Sequence, residues 1–352
     1  MAKRRNAESW TYARSGVDVD SRSLSLKALL SEARYTPPSG YGRPLPVLGH
    51  YAGLTRIGKE VVAVTTDTVG TKVLLAEAMD EWESVGEDMV AINVNDLASV
   101  GARPFGLVDV ISGGRPDPER FRAIGRGLGR GLRKGRCALL GGETAIVPEI
   151  VHGIDLGGTA VGFFPGARKP VTGRAVRAED VLLGLRSTGF HSNGFTLLRR
   201  LLKSEGVDLD AHRPGARVPL GRELLRATRI YVPAVEAIVD RPGVHGLAHI
   251  SGGGVRNLAR LRDDLEFVLD RWPKLSGVFE WLSKLGKVAP KEMFQTFNMG
   301  VGFVVVVDPG HAREIVRQLG RAGASDVREI GRVSRGSGVS LPGLGLRYDG
   351  YD

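Results

Sequence analysis

The sequence predicts an α/β (α+β) protein of two domains, each a mixed sheet with flanking helices. Two observations carry this reading. Apolar runs of strand length alternate with segments of helical periodicity in both halves of the 352-residue chain. A polar stretch, GARKPVTGRAVRAE (166–179), broken by Pro170 and Gly173, interrupts that rhythm near the middle. The expected domains are therefore 1–167 and 168–352, in line with about 150 residues per domain.

Taken in order, residues 1 to about 57 read as irregular, with a flexible link opening at Thr36. Residues 61–64 read as a strand and 73–82 as a helix. A second helix, 88–100, is stopped by Gly101 and Pro104. A strand at 105–111, a basic helix at 118–133 and strands at 137–140 and 156–164 complete the first half. The second half restarts with a strand at 181–185, helices at 195–203 and 232–239, and a strand at 244–250 running into SGGG. The apolar strand 301–307 and a helix at 311–319 follow, and the Gly-rich tail after Ser334 reads as loose.

Composition narrows the function classes. Hydrophobic residues at 42% and charged residues at 25% exclude a disordered or fibrous chain. No run of 18 apolar residues spans a membrane, and the basic N-terminus lacks the apolar run of a signal peptide. The single cysteine, Cys137, excludes an internal disulfide and a Cys-based zinc site. It lies in the apolar run CALL and reads as a core residue in a reducing, cytoplasmic setting. A net charge of +10 admits nucleic-acid, membrane-surface or anionic-metabolite partners. The densest basic run, 121–136, places Phe121, Ile124, Leu128 and Leu132 on one helical face and Arg122, Arg126, Arg130 and Arg133 on another. It reads as a surface helix with a solvated basic side, and no interleaved aromatics offer a stacking platform for single strands. The expected partner is a phosphorylated small molecule, with no nucleic acid and no membrane. The 49 glycines, about twice the usual share, cluster in short loops that bring backbone N–H groups close to a ligand.

Five constellations could carry chemistry. TTDTVGTK (65–72) joins a strand to a helix and offers Asp67 as a hard oxygen ligand and Lys72 as a point charge, without P-loop spacing. NVNDL (93–97) puts Asn95 and Asp96 into an apolar helix, where a buried carboxylate needs a partner such as a metal ion. GGETA (141–145) follows a strand, so Glu143 stands where α/β proteins place ligand groups. In STGFHSNG (187–194), Ser192 or Asn193 can cap the next helix, and His191 adds a group that titrates near neutrality. HISGGG (249–254) supplies a possible backbone anion nest, while His245 reads as structural.

Together and in this order, these segments resemble the phosphoribosylformylglycinamidine cyclo-ligase (aminoimidazole ribonucleotide synthetase) family. The resemblance is carried by YARSGVDVD (12–20), TTDTVGTK, GEDMVAINVNDLASVGARP (86–104), GGETA with Pro148, HSNGFTLLR (191–199), TRIYV (228–232), AHISGGG (248–254) and EMFQTFNMGVGF (292–303). They span nearly the whole chain. The wider superfamily includes formylglycinamidine synthetase, selenophosphate synthetase, thiamine-monophosphate kinase and a hydrogenase-maturation enzyme, which share ATP-dependent phosphorylation of an oxygen.

The resemblance implies a homodimer whose N-terminal strands form a barrel, with ATP and Mg2+ as cofactors. It implies that ATP phosphorylates the formyl-derived oxygen of formylglycinamidine ribonucleotide, and that the amidine nitrogen then closes the imidazole ring. Asp67, Thr68, Gly70, Thr71 and Lys72 would face the ATP phosphates. Asn95 and Asp96 would stand beside them, with Asp67 and Asp96 as metal ligands. Lys72, Glu143 and His191 would be catalytic. Thr144, Ser192 and Asn193 would hold substrate, with Gly252, Gly253 and Gly254 as supporting backbone. Thr68, Ile146 and Ala13 depart from the family's usual residues. A kinase-like relative acting on another small molecule is the alternative, and a nucleic-acid-binding protein the remote one.

Overall fold

The computed structural model describes residues 10–11, 19–33, 42–46, 50–275 and 277–351. Its first element, α1 (Val19–Glu32), replaces the irregular segment expected there. The run SLSLKALLSE is rich in good helix formers, but its leucines are exposed, so no amphipathic packing signal marks it.

The first sheet is built from β1 (Gly53–Ile57), β2 (Glu60–Thr68), β3 (Arg103–Gly113), β4 (Ala138–Ile146) and β5 (Ile154–Phe163), in the order β1-β2-β5-β3-β4. Only β3 and β4 run parallel, because the crossover helix between them returns the chain to the same end. Between β2 and β3 lie a 3-10 turn (Gly70–Lys72), α2 (Val73–Met79) and α3 (Glu83–Ser99). The first of these helices stops early, at a left-handed Asp80. The crossover helix is α4 (Pro118–Gly135), capped by the Asp117 carboxylate, which accepts from the N–H groups of Glu119 and Arg120.

Helices α3 and α4 press together through glycines. A side chain at Gly127 would collide with the Glu83 carbonyl, and one at Gly86 with that of Ile124. Part of the glycine excess thus serves close helix packing rather than loops. The basic side of α4 is neutralised at the same contact. Arg126 binds Glu83 at 2.6 Å, Arg130 binds both Glu83 and Glu87, and Lys134 binds Glu87. The expected solvated basic face is therefore largely paired.

The second sheet contains β6 (Val181–Arg186), β7 (Val244–His249), β8 (Leu265–Val268), β9 (Val301–Val307), β10 (Arg328–Arg335), β11 (Gly338–Leu341) and β12 (Leu346–Tyr348), in the order β12-β11-β8-β10-β6-β9-β7. Every residue of β9 is buried, as its unbroken VGFVVVV run requires. Helices α5 (Phe195–Ser204), α6 (Leu220–Leu224), α7 (Val232–Glu236), α8 (Val278–Gly286), α9 (Pro290–Thr296) and α10 (Ala312–Arg321) surround it. The tail read as loose instead forms β11 and β12, because Val339, Leu341 and Tyr348 are buried along the sheet edge.

Candidate active site

The site is organised on α3, which is buried between the first sheet and the second domain. At about 100° per residue, Asp88, Asn95 and Ser99 share one face, and Asp96 lies about 80° round from Asp88. That polar row grips the second domain. Asp88 accepts the Thr228 N–H at 2.7 Å and forms a fully buried ion pair with Lys72 at 2.6 Å. Asn95 donates to the Arg229 carbonyl and accepts from the Tyr231 N–H, both at 2.8 Å. Ser99 accepts the His249 N–H, and the Asp96 carboxylate pairs with His249 Nδ1 at 2.9 Å.

Lys72 therefore does not stand free as a phosphate-facing charge. Its ammonium also donates to the Arg226 carbonyl at 2.9 Å, so it ties the 65–72 segment to the second domain. Burial pulls its pKa down, and Asp88 counters that by favouring the charged form.

His191 is similarly enclosed. It adopts φ +62 and is 1% exposed. Burial, then the neighbouring His249, Lys72 and Arg229, hold its pKa well below the usual range, so the ring is neutral. Its Nε2 accepts the Thr188 N–H at 3.3 Å. Gly302 is required behind it, because a side chain there would collide with both His191 and the Tyr231 hydroxyl.

Around this buried frame, the glycine loops come together. The Thr71 and Thr196 hydroxyls are 2.9 Å apart, joining the 65–72 segment to the start of α5. Ser192 meets Thr228 at 3.0 Å, and Asn193 abuts Gly252. Ser192 and Asn193 are half-buried and face this junction. Gly253 lies against the Tyr351 ring, and Gly254, at φ +56, admits no side chain because the Phe294 carbonyl lies against it. Thr68 belongs to strand β2, so it needs no left-handed conformation; the left-handed residue in the loop is Gly70, with open space beside it.

Asp67 is exposed at the end of β2, where its carboxylate accepts the Thr68 N–H at 2.8 Å. Its register row runs through Gly158 to Asp109 and Gly142. Asp109 was not singled out from the sequence. Its signal was a carboxylate interrupting the apolar run GLVDVI. Burial raises its pKa, and its carboxylate fills the space that a side chain at Gly142 would need. No group of three His, Cys, Asp or Glu side chains suited to a metal ion occurs among the described residues.

GGETA is not a turn; it lies within the exposed edge strand β4. Three strand spacings, about 14 Å, separate β4 from β2. Glu143 and Thr144 are thus not brought to the 65–72 segment of their own chain. Glu143 registers with Val110, on the sheet face away from α3. Ala13 lies outside the described residues, as does most of YARSGVDVD. Cys137 is half-buried, and burial pushes its thiol up to about 11.

Two family models cover this architecture: AIR synthase related protein, N-terminal domain, over residues 49–164, and AIR synthase related protein, C-terminal domain, over 177–342. The fold is that of this two-domain class. The chain is 42% identical over 340 residues to the phosphoribosylformylglycinamidine cyclo-ligase of Thermococcus kodakarensis, covering 96% of this chain and 99% of the relative. It is 43% identical over 334 residues to that of Methanothermobacter thermautotrophicus, covering 94% and 96%. The chain belongs to the phosphoribosylformylglycinamidine cyclo-ligase family. Among solved structures, thiamine monophosphate kinase from Aquifex aeolicus matches with a TM-score of 0.62 at 17% identity, covering 94% of this chain and 99% of that one. At that identity, the likeness is one of fold.

Proposed function

We propose that this chain closes the imidazole ring of aminoimidazole ribonucleotide in de novo purine synthesis, using ATP. The observation that carries the reading is identity of 42–43% along nearly the whole chain to cyclo-ligases. The formyl-derived oxygen of formylglycinamidine ribonucleotide takes the γ-phosphoryl group and ADP leaves. The amidine nitrogen attacks the activated carbon, loses a proton, and phosphate departs with the oxygen. An amide oxygen is a poor leaving group, and its phosphate ester is a good one. Both reacting ends belong to one molecule, so the protein's task is to hold them in attack geometry and balance the phosphate charge.

In this reading the phosphates approach the backbone at Gly70 and Thr71, where Gly70 leaves open space. Magnesium bound with ATP would neutralise phosphate charge. Such an ion needs only one or two carboxylates besides the phosphates, and exposed Asp67 suits it. Ser192 and Asn193 contact substrate from the second domain. Lys72, Asn95, Asp96 and His191 position the two domains rather than touch the reacting atoms.

The sheet face away from α3 leaves Val64, Phe105, Val108 and Val110 exposed. A second copy covering that face would make a homodimer and place Glu143 at the contact between copies. The absence of a helix long and apolar enough to cross a membrane among the described residues is compatible with a cytoplasmic enzyme.

The test is ADP release with the formylglycinamidine ribonucleotide, with the ring product followed by mass spectrometry. Substrate-dependent ADP and aminoimidazole ribonucleotide in equal amounts are expected. A stable phosphorylated product without ring closure would replace the reading with that of a kinase.

A further inference from the structure

We propose that a cationic cavity in the second domain is the subsite for the substrate's phosphate ester; the assignment to substrate rests on the proposed reaction. The cavity, of about 530 Å3, is bounded by residues 187–189, 215–218, 273–275 and 277–279 and the start of β10. That size suits a small organic ligand.

Its charge is one-sided. Two carboxylates line it, and both are already neutralised: Glu223 by a two-pronged contact from Arg213 at 2.6 and 2.7 Å, and Asp326 by Arg229 at 2.9 Å. Arg186, Arg217, Arg226, Arg328 and Lys274 also line the cavity. No carboxylate lies within salt-bridge distance of any of these five among the described residues. Five cations without a salt-bridge partner among the described residues, around one concavity, select an anion, and guanidinium groups suit the several oxygens of a phosphate.

The surroundings agree with that ligand. Gly215 and Gly277 line the wall with left-handed backbone, which lets a ligand approach the main chain closely, whereas the N–H of Gly300 is taken by Asn298 and its carbonyl by Ser187. Phe279, Met299 and Val301 supply an apolar floor. The cavity also adjoins the junction of glycine loops. Gly189 belongs to its wall, and Ser192, three residues on, belongs to that junction. Three residues span at most about 10 Å. One elongated ribonucleotide can therefore place its phosphate in the cavity and its reacting end beside Ser192 and Asn193.

Ribose 5-phosphate is the probe, measured by calorimetry on the full chain. Arg217 and Arg328 are exposed, so the double variant R217E/R328E should melt with the wild type. The wild type should bind the probe more weakly as salt rises. The double variant should bind it roughly tenfold or more weakly, the usual cost of lost charged hydrogen bonds. The probe should compete with the ribonucleotide, and the variant should raise KM for the ribonucleotide by a similar factor while KM for ATP stays within about twofold. Equal probe binding by variant and wild type would overturn the cavity. Probe binding that does not compete with the ribonucleotide would overturn the assignment to substrate and mark a separate anion site. Should the chain fail to convert the ribonucleotide at all, probe binding and its loss in the variant still decide the cavity independently of the reaction.

Discussion

Removing the Asp88 carboxylate should loosen the grip of α3 on the second domain measurably. In Asp88→Ala, the Lys72 ammonium stays fully buried, with the Arg226 carbonyl as its remaining hydrogen-bond partner and the Phe195 ring 5.5 Å away. Breaking such a buried pair from one side costs about 3–5 kcal/mol. The Thr228 N–H loses its acceptor too, adding about 1–3 kcal/mol. Both contacts end on one carboxylate, so the combined loss is about 4–6 kcal/mol. With an unfolding entropy of roughly 2.1 cal/mol/K per residue over 352 residues, Tm should fall by about 5–8 °C. Scanning calorimetry on Asp88→Ala, Lys72→Met and the double variant forms a double-mutant cycle. The double variant should recover most of the ionic part, because the stranded cation is gone. A Tm drop below about 2 °C for Asp88→Ala, or a double variant as unstable as the summed singles, would refute the argument.

Other substitutions and conditions follow the same physics. Asn95→Ala removes both contacts to the 229–231 segment and should cost about 2–3 kcal/mol in urea unfolding, with substrate-dependent ADP release falling alongside. Gly254→Ala meets the Phe294 carbonyl at a left-handed backbone and should lower the urea midpoint by the equivalent of about 1–3 kcal/mol. Burial, aided by Arg260, holds His50 down to about 4, and His191 is held neutral as well. Both rings take up protons more readily when unfolded, so stability present above pH 6.5 should be lost as pH falls towards 4, with His50 alone accounting for roughly 3 kcal/mol. A pH series of urea midpoints reads this; a flat profile there would contradict it. Replacing Glu83 and Glu87 by glutamine frees Arg126, Arg130 and Lys134 and should raise salt-sensitive DNA binding about tenfold or more in fluorescence anisotropy.

Much of this was legible in the residues. The apolar runs marked β2 to β5 of the first sheet and β6, β7 and β9 of the second, while β1, β8, β10, β11 and β12 went unread; the NVND helix lies where its periodicity put it. Asn95 and Asp96 stood out as polar groups in an apolar helix, and both do find partners. Those partners, Tyr231 and His249, lie more than 130 residues away in sequence, beyond the reach of local spacing. A lysine after a glycine loop reads as a phosphate ligand, and only the tertiary structure shows Asp88 and the Arg226 carbonyl occupying Lys72. GGETA looked like a turn because glycines usually end strands, whereas here Gly142 makes room for the Asp109 carboxylate within one. The glycines of α4 carry no loop signal at all; they serve a helix contact that exists only once α3 lies across them.

The most direct test of the proposed chemistry follows one oxygen atom. Formylglycinamidine ribonucleotide labelled with 18O at the formyl-derived oxygen would be turned over with unlabelled ATP, and the released phosphate analysed by mass spectrometry. Activation by phosphorylation of that oxygen requires one 18O atom in each phosphate formed. Unlabelled phosphate accompanied by the ring product would contradict it, because the oxygen would then have left without ever bonding to phosphorus.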